Sequence, residues 1–176
     1  MFRQLPVLPV VVPVAAVIFV TLLGHLHHRN RLSAPRAAVA LALCVYAAGV
    51  VANTVFPIYL DKPVSNTPWK VYIDPFATYE VGDAVTNIVV FVPLGMLVPL
   101  LLARTSWWRV SAVAAASSLT IELAQLVSAH FLHGGHVADI HDLIFNVVGA
   151  ILGFGLLCSL SRVPRVGVLI ERFSWR

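Results

Sequence analysis

The chain of 176 residues is 59% hydrophobic and only 11% charged, with a mean hydropathy of +0.88; soluble globular domains carry about a quarter charged residues, so that class is excluded. Its net charge of +4 and pI near 9.5 come from basic residues dispersed singly at the ends of apolar runs, a pattern that sets membrane topology and is unlike a nucleic-acid footprint. Cys44 and Cys158 both fall inside apolar runs, where they read as small packing residues and imply no disulfide framework.

Five apolar segments follow in order: 5 to 24, 37 to 60, 84 to 103, 108 to 129 and 142 to 160. Each approaches the roughly 20 residues a helix needs to cross the hydrocarbon core. The predicted fold is therefore all-α, a polytopic membrane helix bundle of about five transmembrane helices. The first segment, with Arg3 ahead of it, prolines at 6, 9 and 13 and no small-x-small cleavage signal, reads as a retained span. Arg29, Arg31 and Arg36, then Arg104 and Arg109, then Arg162, Arg165, Arg172 and Arg176 fall on one side of the predicted bundle; only Arg3, Lys62 and Lys70 fall on the other. By the positive-inside rule the N-terminus is out and the C-terminus in. The chain thus divides into a first helix with its basic cytoplasmic loop (1–36), a transmembrane domain (37–161) and a basic cytoplasmic tail (162–176).

Two loops then face outward. In the longer, 61 to 83, Trp69, Tyr72, Phe76 and Tyr79 are spaced three, four and three apart. That spacing predicts an amphipathic segment in the interface, kinked at Pro75. The shorter loop, 130 to 141, holds His130, His133, His136 and His141 beside Asp139 and Asp142. Their spacing matches no compact zinc motif, and Gly134 and Gly135 loosen the loop, so neither metal nor cofactor is expected. His25, His27 and His28 beside Arg29 read as interfacial snorkelling residues.

The informative residues are the polar ones at membrane depth. The third segment reads N-x-x-x-F-x-P-x-G through Asn87, Phe91, Pro93 and Gly95. Pro93 frees the carbonyl of Val89, and Gly95 permits close backbone approach. In the fourth, Glu122 and Gln125 share one helix face. A charged residue at mid-span costs roughly 2.5 to 3.5 kcal/mol on insertion scales, so it normally meets a partner or water. The fifth carries Asp139, Asp142, Asn146, Gly149 and Gly153 along one stripe, its lower end a G-x-x-x-G contact surface. Counting the helical rise from the outer ends, Asn87 and Asn146 lie roughly 6 Å deep and Glu122 and Gln125 roughly 6 to 10 Å. A polar cavity opening outward is one reading of this layer. Mutual hydrogen bonding that locks the bundle is the other.

These motifs, with the Pro75–Phe76 pair ahead of the third segment, resemble the VanZ-like integral membrane proteins over about residues 40 to 160, so that 37–161 is the VanZ-like domain. Two positions depart from the family pattern: His136 stands where an arginine is usual, and Tyr72 where an asparagine is common. The resemblance implies a role at the cell envelope and in low-level resistance to glycopeptides of the teicoplanin type. It implies no catalytic mechanism.

The favoured reading is a binding protein. Asn87, Gln125 and Asn146 exchange hydrogen bonds with a ligand, Glu122, Asp139 and Asp142 favour a cationic or hydroxyl-rich group, and His136 stands in for the family's arginine. A phosphate would need Lys62, Lys70, His136 or a bridging cation. The expected partners are membrane lipids, a lipid-linked cell-wall precursor or an envelope protein, and not nucleic acid. Whether Gly149 and Gly153 pack within one chain or across a homo-oligomer stays open. Two alternatives are a membrane-embedded enzyme using Glu122 with Asp142 or Asp139 as acid and base on an envelope lipid, and a small transporter whose Pro93 and Pro99 break a helix. Ser117, Ser118 and Thr120 read as helix hydrogen-bond partners, not nucleophiles.

Overall fold

The computed structural model describes residues 3–60, 71–72, 74, 79–131 and 138–175. Among them lie six helices: α1 (Leu8–His28), α2 (Ala34–Thr54), α3 (Val81–Leu101), α4 (Trp107–Phe131), α5 (Ile140–Ser161) and α6 (Pro164–Phe173). The first five are each long and apolar enough to cross a membrane, as the five apolar segments predict. Two dipeptides, β1 (Val71–Tyr72) and β2 (Ala138–Asp139), pair in parallel, Val71 opposite Ala138 and Tyr72 opposite Asp139. Residues 71 and 72 are therefore extended, not part of the predicted amphipathic turn. Lys62, Trp69, Lys70, Pro75, Phe76, His133 and His136 lie outside the described residues, as does the side chain of His130.

The helix ends follow local chemistry. α2 stops at Thr54, short of the apolar run's end at 60, because Pro57 biases the residue before it away from helix. The chain beyond it turns extended, and residues 3–5 pair with 58–60 through Leu5 N–H to the Ile58 carbonyl and Leu60 N–H to the Arg3 carbonyl, both 2.9 Å. α5 begins at Ile140, two residues earlier than its apolar run, because Asp139 caps it: the carboxylate accepts from His141 N–H at 2.9 Å.

α3 and α5 run parallel and form the spine. A Cβ on Gly95 would lie 2.7 Å from the carbonyl carbon of Ala150, and one on Gly149 or Gly153 would lie 2.9 Å from that of Ile88 or Val92. The G-x-x-x-G surface is thus consumed within the monomer, backbone against backbone. Below it Phe91, Leu94, Val98, Val110, Ala114, Ala150 and Phe154 close the core, with Trp107 edge-on to Phe154 at 4.6 Å. α1 packs on α2 and turns Val12, Val14, Val17 and Val20 outward, as a bilayer-facing surface requires.

α6 was not among the predicted elements. Its signal is present, Val166, Leu169, Ile170 and Phe173 recurring at helical spacing behind Pro164, but the arginines around it read as a basic tail. The segment beyond α6 is docked. Trp175 N–H donates to the Leu100 carbonyl (2.8 Å), Arg31 reaches the Trp175 carbonyl (2.7 Å), and Arg36 Nε reaches that of Ser174 (2.8 Å). The α1–α2 connection, the end of α3 and the C-terminal segment are clasped together at the basic end of the bundle.

Candidate functional site

At the opposite end, α2 stands off from α3 and α4. The gap is a cleft of about 550 Å³, walled by Tyr46, Gly49 and Asn53 of α2, Asn87 and Phe91 of α3, Glu122 and Gln125 of α4, and Asp142 and Asn146 of α5. A smaller cavity of about 290 Å³ lies above it, bounded by Tyr72, Tyr79, Asp83 and Asp139. Thr86, Asn87 and Asp142 line both. Equal helical rise from three helix ends brings the predicted Asn87, Glu122, Gln125, Asp142 and Asn146 to one cleft, while Asp139 lines the upper cavity.

The four residues Asn87, Glu122, Gln125 and Asn146 do not lock one another. Asn87 Nδ2 donates to Asp142 Oδ1 (2.6 Å) and to the Tyr79 hydroxyl (2.8 Å), and Tyr79 in turn donates to Asp142 Oδ1. Glu122 Oε2 accepts from the Asp139 N–H across the α4–α5 boundary at 2.9 Å. Asn146 Nδ2 donates to Ser118 Oγ at 2.9 Å. Two acceptors are left: Gln125 Oε1 and Asn146 Oδ1 have no hydrogen-bond partner among the described residues, although the residues are only 8% and 4% exposed. A buried polar group without a partner costs about 1 to 3 kcal/mol.

Asp139 is the joint of this network. Its N–H holds Glu122, and its carboxylate caps α5 and meets His141 Nδ1 at 2.8 Å. The His141 ring stacks on Tyr79 with centroids 4.8 Å apart, and Phe145 stacks on the same ring at 5.4 Å. Tyr79 and Ser118 belong to the hydrogen-bond network of the candidate site, although sequence reasoning placed them elsewhere. Ser118 has a legible signal, since 118, 122 and 125 share a helix face. Tyr79 has none, because its partner Asp142 is 63 residues away. Among the described residues, no three His, Cys, Asp or Glu side chains gather closely enough to share a metal ion.

Burial pushes the Tyr79 phenol above its ordinary value, and the hydrogen bond and charge of Asp142 push it further, with Asn87 pulling weakly back. The neutral phenol is the favoured form. Its stabilising contribution is therefore present below the ordinary phenol pKa of about 10 and is lost as pH rises through the raised value. In an ultraviolet titration, one tyrosine is expected to ionise last, and Asp142→Asn is expected to move it earlier. An unchanged curve would mean that the Tyr79–Asp142 contact does not hold in solution.

A sequence profile described as VanZ/LLP1 matches residues 10–162, the stretch that carries all five apolar helices but the first two residues of α1. The chain belongs to the VanZ/LLP1 family. No curated protein and no solved structure matches it. The matched stretch covers nearly all of α1 and the whole of α2 to α5, so the cleft lies within the VanZ/LLP1 region and α6 beyond it. This is a multi-pass membrane protein of the VanZ-like family.

Proposed function

We propose that this VanZ-like protein sits in a bacterial cytoplasmic membrane, N-terminus out and C-terminus in, and binds an envelope lipid or lipid-linked cell-wall precursor in its polar cleft. The bias of basic residues toward one end supports the orientation. In that orientation the cleft opens at the outer leaflet, where such ligands lie. The observation that carries the reading is the pair of buried, unpartnered acceptors, Gln125 Oε1 and Asn146 Oδ1, lining a cleft. Polar groups are left so in a native interior where a ligand or water completes them.

The mechanism is occupancy. A bound head satisfies these acceptors, and its retention changes how much of the lipid or precursor is accessible outside. By that route the protein contributes to low-level resistance to teicoplanin-type glycopeptides.

Native mass spectrometry of the purified full chain tests the binding. The wild type is expected to carry a bound amphiphile, and the isosteric pair Gln125→Met with Asn146→Leu is expected to lose at least about tenfold of it, the effect of some 1.4 kcal/mol. Equal occupancy in both would remove the binding site from this cleft. Steady turnover of an envelope lipid, abolished by Glu122→Ala, would replace binding by catalysis.

A further inference from the structure

Resting on that reading, we infer that the cleft takes its ligand sideways from the bilayer, past Gly49 of α2, and selects an amphiphile whose head offers hydroxyl or ammonium donors, not one that ends in a bare phosphate. Two features of the cleft, its lining and its mouth, carry this.

The lining fixes the chemistry. Neither the cleft nor the cavity above it is lined by a Lys, Arg or His side chain among the described residues. What they present is acceptors: the carboxylates of Glu122 and Asp142 and the free oxygens of Gln125 and Asn146 in the cleft, with Asp83 and Asp139 above. Among the described residues, a phosphate brought here would face like charge with no lining cation to offset it. A sugar or other polyol donates to each acceptor without desolvating a second anion, and an ammonium adds charge complementarity.

The mouth fixes the route. Val45 and Val90 line the cleft and are yet 63% and 38% exposed, so its deep, apolar part opens on the surface that faces lipid. Tyr46, Val50, Phe91, Pro93 and Ile121 continue that apolar wall inward. At Gly49 the wall has no side chain, and a Cβ there would meet nothing within 4 Å. A cleft of this volume suits a drug-sized ligand. It therefore holds the head and the upper part of one chain, and the rest of a lipid stays in the bilayer.

Gly49→Leu fills this gap from the α2 side. Leucine is a far better helix former than glycine, so α2 itself is not weakened. Gly24→Leu is the control, because Gly24 lies on α1, away from the cleft, and also faces open space. The purified chain is mixed with equal amounts of a glycosyl-diacylglycerol and of phosphatidic acid with matched acyl chains, and bound lipid is read by native mass spectrometry. The wild type and Gly24→Leu are expected to retain the glycosyl lipid over phosphatidic acid by about tenfold, and Gly49→Leu to lose it. Phosphatidic acid retained equally well, or neither lipid retained, overturns the donor-head assignment. Glycosyl lipid retained undiminished by Gly49→Leu overturns the lateral route. In each of these cases an endogenous ligand that is still lost on Gln125→Met with Asn146→Leu leaves the broader proposal standing.

Discussion

Gly153→Leu is expected to destabilise the bundle by about 3 kcal/mol or more, at or beyond the usual upper end for overpacking. The added carbon lands 2.9 Å from the Val92 carbonyl carbon and nearer still to its oxygen. These are backbone atoms of a continuous helix, so no rotamer change relieves the clash; α3 and α5 must part along the contact that organises the core. Parting also uncovers Phe91, Ala150 and Phe154. The same substitution at Gly82, where a side chain meets nothing within 4 Å, is expected to cost little. Thermal loss of helical circular dichroism in detergent checks both. A Gly153→Leu protein as stable as the wild type would mean that α3 and α5 do not touch as described.

The second large effect concerns function. In a sensitive Gram-positive host, the wild type is expected to raise teicoplanin tolerance, while Glu122→Gln and Asp142→Asn, blotted to equal membrane levels, are each expected to abolish the gain. Both substitutions keep the side-chain shape and one oxygen acceptor. Asp142 Oδ1 receives Tyr79 and Asn87, and Glu122 Oε2 receives the Asp139 N–H, so an amide oxygen can hold the same partners. What changes is the charge, together with two acceptor sites converted to donors. If all three proteins protect alike, the polar layer serves architecture alone. If the wild type gives no protection, the resistance role is not a property of this chain.

The spans were legible because hydropathy over about 20 residues is a single strong variable. So were the cleft residues Asn87, Glu122, Gln125, Asp142 and Asn146, since polar groups stand out in apolar helices and their depth follows from counting residues. Their wiring was not. Asn87 has Asp142 and Tyr79 as partners, not the other amides, and Glu122 is held by a backbone N–H that carries no side-chain signature. The β1–β2 pairing rests on two residues per strand, too few for alternation to register against the aromatic spacing of Tyr72 and Tyr79. α6 hid because its charge was the more conspicuous pattern, although its apolar residues recur with helical period.

The parallel packing of α3 on α5 also bears on how the chain is made. Asn87 and Asp142, partners across that interface, are 55 residues apart. At about 5 to 20 residues per second of synthesis, α3 waits roughly 3 to 11 s before its companion exists. Among the described residues, α4 is the one later helix at hand during that interval, yet α4 leans chiefly on α5. The glycine face of α3, with the Val89 carbonyl freed by Pro93, meanwhile rests against lipid or the insertion machinery. The α1–α2 pair can form early, whereas the α3–α5 spine closes late, only once the fifth apolar helix has been made.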